Sequence, residues 1–260
     1  MLLAIDLGNT DVVLGLFDDG EPLLHRWRLQ ASTARTEDEY GLQIAQLLER
    51  AGYAPSAIEA VALASVVPEL TPVLARVCER NFACKPLIVG PGVKTGISIR
   101  YNPTKDVGAD RIVNAVAAFA RYRSACIVVD FGTAITFDCI TSGGAYVGGA
   151  IAPGVQVSMS GLFARAAKLP KVDLVRPPRV VGRTTAESIQ SGVFYGYVSL
   201  VDGVVTRMKA EMEDDEVRVI ATGALAEQLA ADAQTIDVVH LDLTLEGLRH
   251  IYALGTSPLG

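Results

Sequence analysis

The feature that most constrains this chain is an internal echo. Leu2 to Ile5 is a short apolar run that ends in Asp6-Leu7-Gly8-Asn9-Thr10. A second run, Val12 to Phe17, and a turn at Asp18-Asp19-Gly20 follow. In the second half, Cys126 to Val129 is again apolar and ends in Asp130-Phe131-Gly132-Thr133. Ile135 to Ile140 and a turn near Ser142-Gly143-Gly144 come next. Each copy reads strand, Asp-x-Gly, threonine, strand, glycine turn. The repetition predicts an α/β chain of two duplicated lobes facing each other, residues 1–115 and 116–260.

The chemistry of the repeated turn suggests phosphate. Glycine between two strands lets backbone N–H groups approach an anion with no Cβ in the way. Threonine adds a hydroxyl donor, and an aspartate at the strand end can hold a cation against the phosphate charge. Asp-Gly and Asn-Thr are also ordinary hairpin residues. One copy alone leaves the two readings level; duplication favours phosphate. Gly90-Pro91-Gly92-Val93-Lys94-Thr95 lacks the four-residue gap of a P-loop, and no G-x-G-x-x-G follows a strand.

Composition narrows the class. Of 260 residues half are hydrophobic and the formal net charge is −6, which fits a folded core and argues against a nucleic-acid backbone as partner. Cys78, Cys84, Cys126 and Cys139 show no zinc-ligand spacing and read as free thiols in a reducing cytoplasm. The uncharged stretch from Cys139 to Ala164 holds six glycines and Pro153. It reads as strands and turns, not a membrane span. Met1 to Ile5 is too short for a signal peptide before Asp6.

Alternating strands and helices fill the rest. An amphipathic helix is expected over Thr36 to Ala51, with Thr36 and Glu39 at capping-box spacing. A buried strand over Val61 to Ser65, a helix from Pro68 to Asn81, a strand over Leu87 to Val89 and a lobe-connecting helix from Gly108 to Tyr122 follow. One long helix is expected over Ala186 to Met212. Gly192, Gly196 and Gly203 cost it propensity and suggest close helix packing, within the chain or across a subunit interface. Val217 to Ala221 is a strand leading through Thr222-Gly223-Ala224 to a helix from Leu225. That step suits either an adenosine contact or a plain connection. Trp27, between Arg26 and Arg28, alternates as a half-buried strand residue.

Four motifs occur in order: Asp6-Leu7-Gly8-Asn9-Thr10, Gly108-Ala109-Asp110-Arg111, Asp130-Phe131-Gly132-Thr133-Ala134 and Gly148-Gly149-Ala150-Ile151-Ala152-Pro153-Gly154. With Thr185, Gln190-Ser191-Gly192 and Leu243-Thr244-Leu245-Glu246-Gly247-Leu248, they cover essentially the whole chain. The ordered set resembles the type III pantothenate kinases, and each motif alone is far less specific. The resemblance implies the actin/sugar-kinase fold: two ribonuclease H-like lobes, each a mixed sheet flanked by helices, with ATP in the cleft between them. It implies a cytoplasmic homodimer that phosphorylates pantothenate with ATP, using magnesium or another divalent ion and a potassium or ammonium ion.

By the same resemblance, Asp6, Leu7, Gly8, Asn9, Thr10, Asp11, Val12 and Val13 hold the ATP phosphates, with Asp6 nearest the divalent ion through water. Thr133 adds a phosphate contact and Asp130 binds the monovalent cation. Tyr101, Gly108, Ala109, Asp110, Arg111 and Thr185 contact pantothenate, and Asp110 accepts the proton. Arg111 suits a carboxylate clamp because guanidinium binds carboxylate in a fork. Asp110 falls in the first turn of a helix, where the dipole favours ionisation and makes a weak base. Thr185 reads also as the N-cap of the long helix. Without the resemblance, helix-start electrostatics explains Asp110, and a solvent-facing or structural ion pair explains Arg111.

Two positions depart from the family pattern. Asp11 places a negative charge in the phosphate turn, and Thr184 stands where Asn is common. Two other readings remain: an actin-like or heat-shock-type ATPase with no small-molecule acceptor, and a non-catalytic regulatory accessory protein. The first is usually longer, and the second fits poorly with intact Asp6, Asp110, Asp130 and Thr133.

Overall fold

The computed structural model describes residues 1–18, 22–166 and 168–256. Residues 19 and 20 of the turn expected after the second strand lie outside the described residues. The chain divides into two compact units. Met1–Arg121 and the segment from Asp242 onward form one, and Tyr122–Leu241 forms the other.

The first unit begins with β1 (Leu2–Leu7), β2 (Asp11–Phe17) and β3 (Leu23–Gln30), each antiparallel to the one before. After α1 (Glu37–Arg50) the chain returns as β4 (Ala60–Ser65), parallel to β1. After α2 (Thr71–Phe82) comes β5 (Leu87–Ile88), parallel to β4. The sheet order is β3-β2-β1-β4-β5. The inner strands β1 and β4 are apolar throughout their middles and buried, as strands covered on both faces must be. β3, at the edge, alternates half-buried and exposed, and Trp27 is one of its inward residues.

The α1 capping box is present: the Thr36 hydroxyl accepts from the Glu39 N–H, and the Glu39 carboxylate accepts from the Thr36 N–H at 2.7 Å. Tyr40, Ile44 and Leu48 of α1 and Leu74, Val77 and Phe82 of α2 close one core over Leu3, Ile5 and Leu7. α2 starts at Thr71, later than Pro68, because residues 67–70 form a turn in which Leu70 N–H donates to Val67 C=O. A two-residue strand, β6 (Ser98–Ile99), precedes α3 (Ala109–Tyr122).

The second unit repeats the plan. β7 (Ala125–Phe131), β8 (Ala134–Ile140) and β9 (Ala145–Pro153) are antiparallel neighbours. α4 (Val155–Arg165), α5 (Thr185–Glu211), β10 (Val217–Thr222), α6 (Ala226–Ala230) and β11 (Val238–Val239) follow. β10 runs parallel to β7, and β11 parallel to β10. Within this unit the order is β9-β8-β7-β10-β11, the same third-second-first-fourth-fifth order as the first sheet. This is the ribonuclease H-like order of actin-like proteins. Phe131, Ile135, Phe137, Phe194, Val198 and Val201 anchor its core between sheet and α5.

Two sequence expectations need correction. The last ten residues of the uncharged stretch, read as strands and turns, are helical: α4 begins directly after Gly154, its N-cap. Ser158, Ser160 and Gly161 lower its propensity and hide it from a pattern reading. The last helix, α7 (Leu243–Thr256), belongs to the first unit, so the second unit is not 116–260. A Cβ at Gly247 would lie 2.2 Å from the Val113 carbonyl oxygen, so α7 lies directly on α3. The Thr244 hydroxyl donates to Asn114 Oδ1 at 2.7 Å, and Leu245 presses on Gly15 of β2. The Leu243-to-Leu248 motif is therefore a docking surface that covers the second face of the first sheet.

Candidate active site

In the first hairpin the last paired residues are Leu7 and Val12, and Gly8 N–H donates to Asp11 C=O at 2.9 Å. Asn9 and Thr10 form the exposed tip, and Thr10 C=O accepts from Ala31 N–H at 2.9 Å, tying the tip to the end of β3. Leu7 and Val12 are fully buried, so only their backbones can face a phosphate; their side chains anchor the turn. Asp6 is not beyond the strand but inside its ladder, beside Val13 and Ala64. The Asp11 charge is met by Arg28 of β3, whose Nε lies 3.6 Å from Asp11 Oδ1. That ion pair offsets the repulsion expected of an extra carboxylate in a phosphate turn.

Gly108-Ala109-Asp110-Arg111 opens α3 in the same unit. Asp110 Oδ1 accepts the Arg111 N–H at 2.8 Å and occupies the space over Gly108, where a Cβ would stand 2.5 Å away. The same Cβ position is 3.6 Å from Val66 Cγ1, and Val66 N–H donates to the Leu7 carbonyl at 3.1 Å. Val66, hydrogen-bonded to the end of β1, thus borders the same space over Gly108 that the Asp110 carboxylate fills. Burial pushes the Asp110 carboxyl above the ordinary aspartate range, although the Arg111 N–H and the Arg111 charge pull it down. This corrects the sequence expectation: desolvation outweighs the helix-start effect and leaves a stronger base. Arg111 is only 6% exposed, which excludes a solvent-facing role. A guanidinium that deep must be held by acceptors, and its forked donor geometry matches a carboxylate.

The second hairpin is tighter. Phe131 and Ile135 are its last pair, and Gly132 N–H donates to Ala134 C=O at 3.1 Å. Two glycines pack on this turn. A Cβ at Gly154 would lie 2.2 Å from Thr133 O, and Gly154 N–H donates to that oxygen at 3.0 Å. Gly223, with φ +92°, would put a Cβ 2.5 Å from Asp130 Oδ1 and 2.7 Å from Phe131 N. The strand-Gly-helix step after β10 therefore seats backbone on the Asp130 turn. That role was not visible in sequence, where Gly223 had only its local spacing.

The remaining expected residues are more dispersed. Tyr101 is exposed on the segment before α3, away from any core. Thr185 is the first residue of α5, not its cap. The cap is Thr184, whose hydroxyl accepts the Glu187 N–H at 3.2 Å. Threonine at 184 thus does the capping work that Asn does equally well. Asp6, Tyr101, Asp110 and Arg111 lie in the first unit; Asp130, Thr133 and Thr185 lie in the second.

Among the described residues no group of three or more His, Cys, Asp or Glu side chains is placed to cage a metal. None of the four cysteines is in a disulfide, and burial pushes Cys78 up to about 12 and Cys126 up to about 11. No described helix is long and apolar enough to cross a membrane.

A family profile described as type III pantothenate kinase matches residues 2–207. The type III pantothenate kinase of Geobacter sulfurreducens is 54% identical over 252 residues, covering 97% of this chain and 98% of that one. That of Myxococcus xanthus is 51% identical with the same coverage. The chain belongs to the type III pantothenate kinase family. Solved structures agree on the fold. An ROK hexokinase from Thermus thermophilus superposes with a TM-score of 0.54 at 14% identity, covering 97% of this chain and 99% of that one. Component A of the (R)-2-hydroxyglutaryl-CoA dehydratase of Acidaminococcus fermentans gives 0.58 at 14% identity, covering 96% of each.

Proposed function

We propose that this chain transfers the γ-phosphoryl group of ATP to the terminal hydroxyl of pantothenate, giving phosphopantothenate and ADP, the first step of coenzyme A synthesis. The observation that carries this reading is the Asp110 carboxylate. It is half-buried, raised in proton affinity, set beside buried Arg111 and in the same unit as the first hairpin.

In the reaction the pantothenate hydroxyl oxygen forms a bond to the γ-phosphorus while the bond to the bridging oxygen of ADP breaks. Asp110 accepts the hydroxyl proton, and Arg111 receives the pantothenate carboxylate in a two-pronged hydrogen bond. Such transfers pass through a loose transition state, so positioning and charge stabilisation dominate. The exposed Asn9–Thr10 tip, with its backbone N–H groups, takes the phosphates, and Thr133 adds a hydroxyl from the second hairpin. A divalent ion, when bound, neutralises phosphate charge, and Asp6 would hold it through water. Asp130 would hold a potassium or ammonium ion. Tyr101 and Thr185 complete the pantothenate contacts.

The protein acts in the cytoplasm as a homodimer. Gly192 and Gly196 of α5 have open space where a Cβ would stand, beside Val180 and Val181, which are 64% and 78% exposed. That apolar, small-residue face favours a second copy, and light scattering of the purified protein tests it.

The deciding assay follows ADP release by the purified protein with magnesium, with and without pantothenate, in potassium and then in sodium. Pantothenate-dependent turnover is expected. ADP release that ignores pantothenate would point to an ATPase, and no release under any condition would contradict the kinase reading.

A further inference from the structure

Asp130 sits in a row of oxygens that crosses three strands. Its in-register partners are Thr136 on β8 and Thr222 on β10. Partners directly opposite in a sheet present their side chains on one face, with Cβ atoms about 5 Å apart. The packing agrees: Val129, Phe131, Ile135, Phe137, Val219 and Ala221 fill the apolar core on one face, so Asp130, Thr136 and Thr222 share the other. The matching row in the first unit is Val13, Asp6 and Ala64, with no second oxygen.

Thr136 is further fixed from behind. Its hydroxyl donates to Asp138 Oδ2 at 3.1 Å, and the Tyr146 hydroxyl donates to Asp138 Oδ1 at 2.8 Å. Asp138 and Tyr146 are completely buried. A hydroxyl has one proton, and this one is committed to Asp138. What Thr136 offers the rest of its surroundings is therefore lone pairs alone. On the other side, Asp130 Oδ1 is backed by the Cβ-less Gly223 and Gly132, with Gly132 leaving 3.8 Å. One carboxylate with neutral oxygens beside it suits a weakly charged, oxygen-seeking ion better than a divalent one.

We infer that Thr136 supplies a neutral oxygen to the monovalent cation held by Asp130, and that Asp138, with Tyr146, is the positioning residue that turns that oxygen toward it. The inference rests on the reading of Asp130 as the cation-binding carboxylate and extends it to residues outside the hairpin turn. Outer partners that orient a ligand typically change metal affinity on the order of 10–100-fold when lost.

The test is direct cation binding, read by thallium-205 NMR with thallous ion and by thermal shift in potassium chloride against choline chloride at fixed ionic strength. Neither readout depends on turnover. The intact protein should show saturable binding. Thr136→Val should weaken it about tenfold or more, Thr136→Ser should stay within about threefold, and Asp138→Asn should weaken it while leaving Thr136 in place. If Thr136→Val does not fold, Asp138→Asn decides on the same readouts. Unchanged binding in Thr136→Val or in folded Asp138→Asn, with binding lost in Asp130→Asn, overturns the inference and leaves the Asp130 reading standing. An intact protein that binds no monovalent cation defeats both.

Discussion

Asp6 and Asp130 occupy the same place in two sheets of the same strand order, yet their surroundings differ in three ways. Asp6 has Val13 and Ala64 as cross-strand neighbours, whereas Asp130 has Thr136 and Thr222. The first turn, Gly8 to Asp11, is one residue longer than Gly132 to Ala134, although both tips, Asn9–Thr10 and Gly132–Thr133, are exposed. The second turn is pressed by Gly154 and Gly223, whereas a Cβ at Gly8 would meet only Asp11 O, at 3.4 Å. One duplicated scaffold thus yields an open, apolar-flanked turn fit for a moving substrate phosphate. The other copy is a tight, oxygen-rich turn fit for a resident ion. Asp110, the base of the proposed reaction, lies in the unit of the first turn.

The largest test of that division is Asp110→Asn. Removing a positioned base costs on the order of 10²–10⁴-fold, so kcat should fall by that much at every potassium concentration while ATP binding persists. Near-normal turnover would take Asp110 out of the base role. The same variant has a stability signature. Burial raises the folded-state pKa of Asp110, so its contribution to stability is complete below the unfolded value and is lost as pH rises through the raised one. Above that raised pKa the ionised carboxylate therefore costs stability, and there the unliganded Asp110→Asn protein should melt higher than the parent. In the parent, turnover should fall on acidification through a pKa above the usual aspartate range, and the variant should lack that limb.

The turns themselves give the next test. Gly154→Ala forces a methyl onto the Thr133 carbonyl and should destabilise the protein by about 2–4 kcal/mol in chemical unfolding. Gly8→Ala should cost less than about 1 kcal/mol of stability and act mainly on KM for ATP. Equal destabilisation by the two would remove the claimed asymmetry. The smallest effect is expected at Asp11. The Arg28 pair is partly exposed and worth at most about 1 kcal/mol. Asp11→Asn should leave the melting temperature nearly unchanged and lower KM for ATP by less than about fivefold. A rise in KM would mean that Asp11 serves the nucleotide directly.

The duplicated hairpins were legible because turn chemistry and strand periodicity are local properties. So were the α1 capping box and the long α5. What was hidden depends on who packs against whom. Sequence order placed α7 with the second half, but Gly247 on Val113 puts it in the first unit. The first-turn position of Asp110 was correct, whereas its basicity was misjudged because desolvation is a tertiary effect. Thr184 and Thr185 are both plausible caps by type, and only backbone geometry separates them. Gly154 and Gly223 look like ordinary loop glycines until the hairpin they support is in place.

If the two aspartates of the repeat serve different ions, a paired potassium titration of turnover separates them. For Asp130→Asn, the potassium concentration giving half-maximal rate should rise at least about tenfold, with part of kcat recovered at saturation. For Asp6→Asn, kcat should fall with the potassium midpoint unchanged, and the magnesium dependence should shift instead. Identical potassium responses in the two variants would contradict the division of labour.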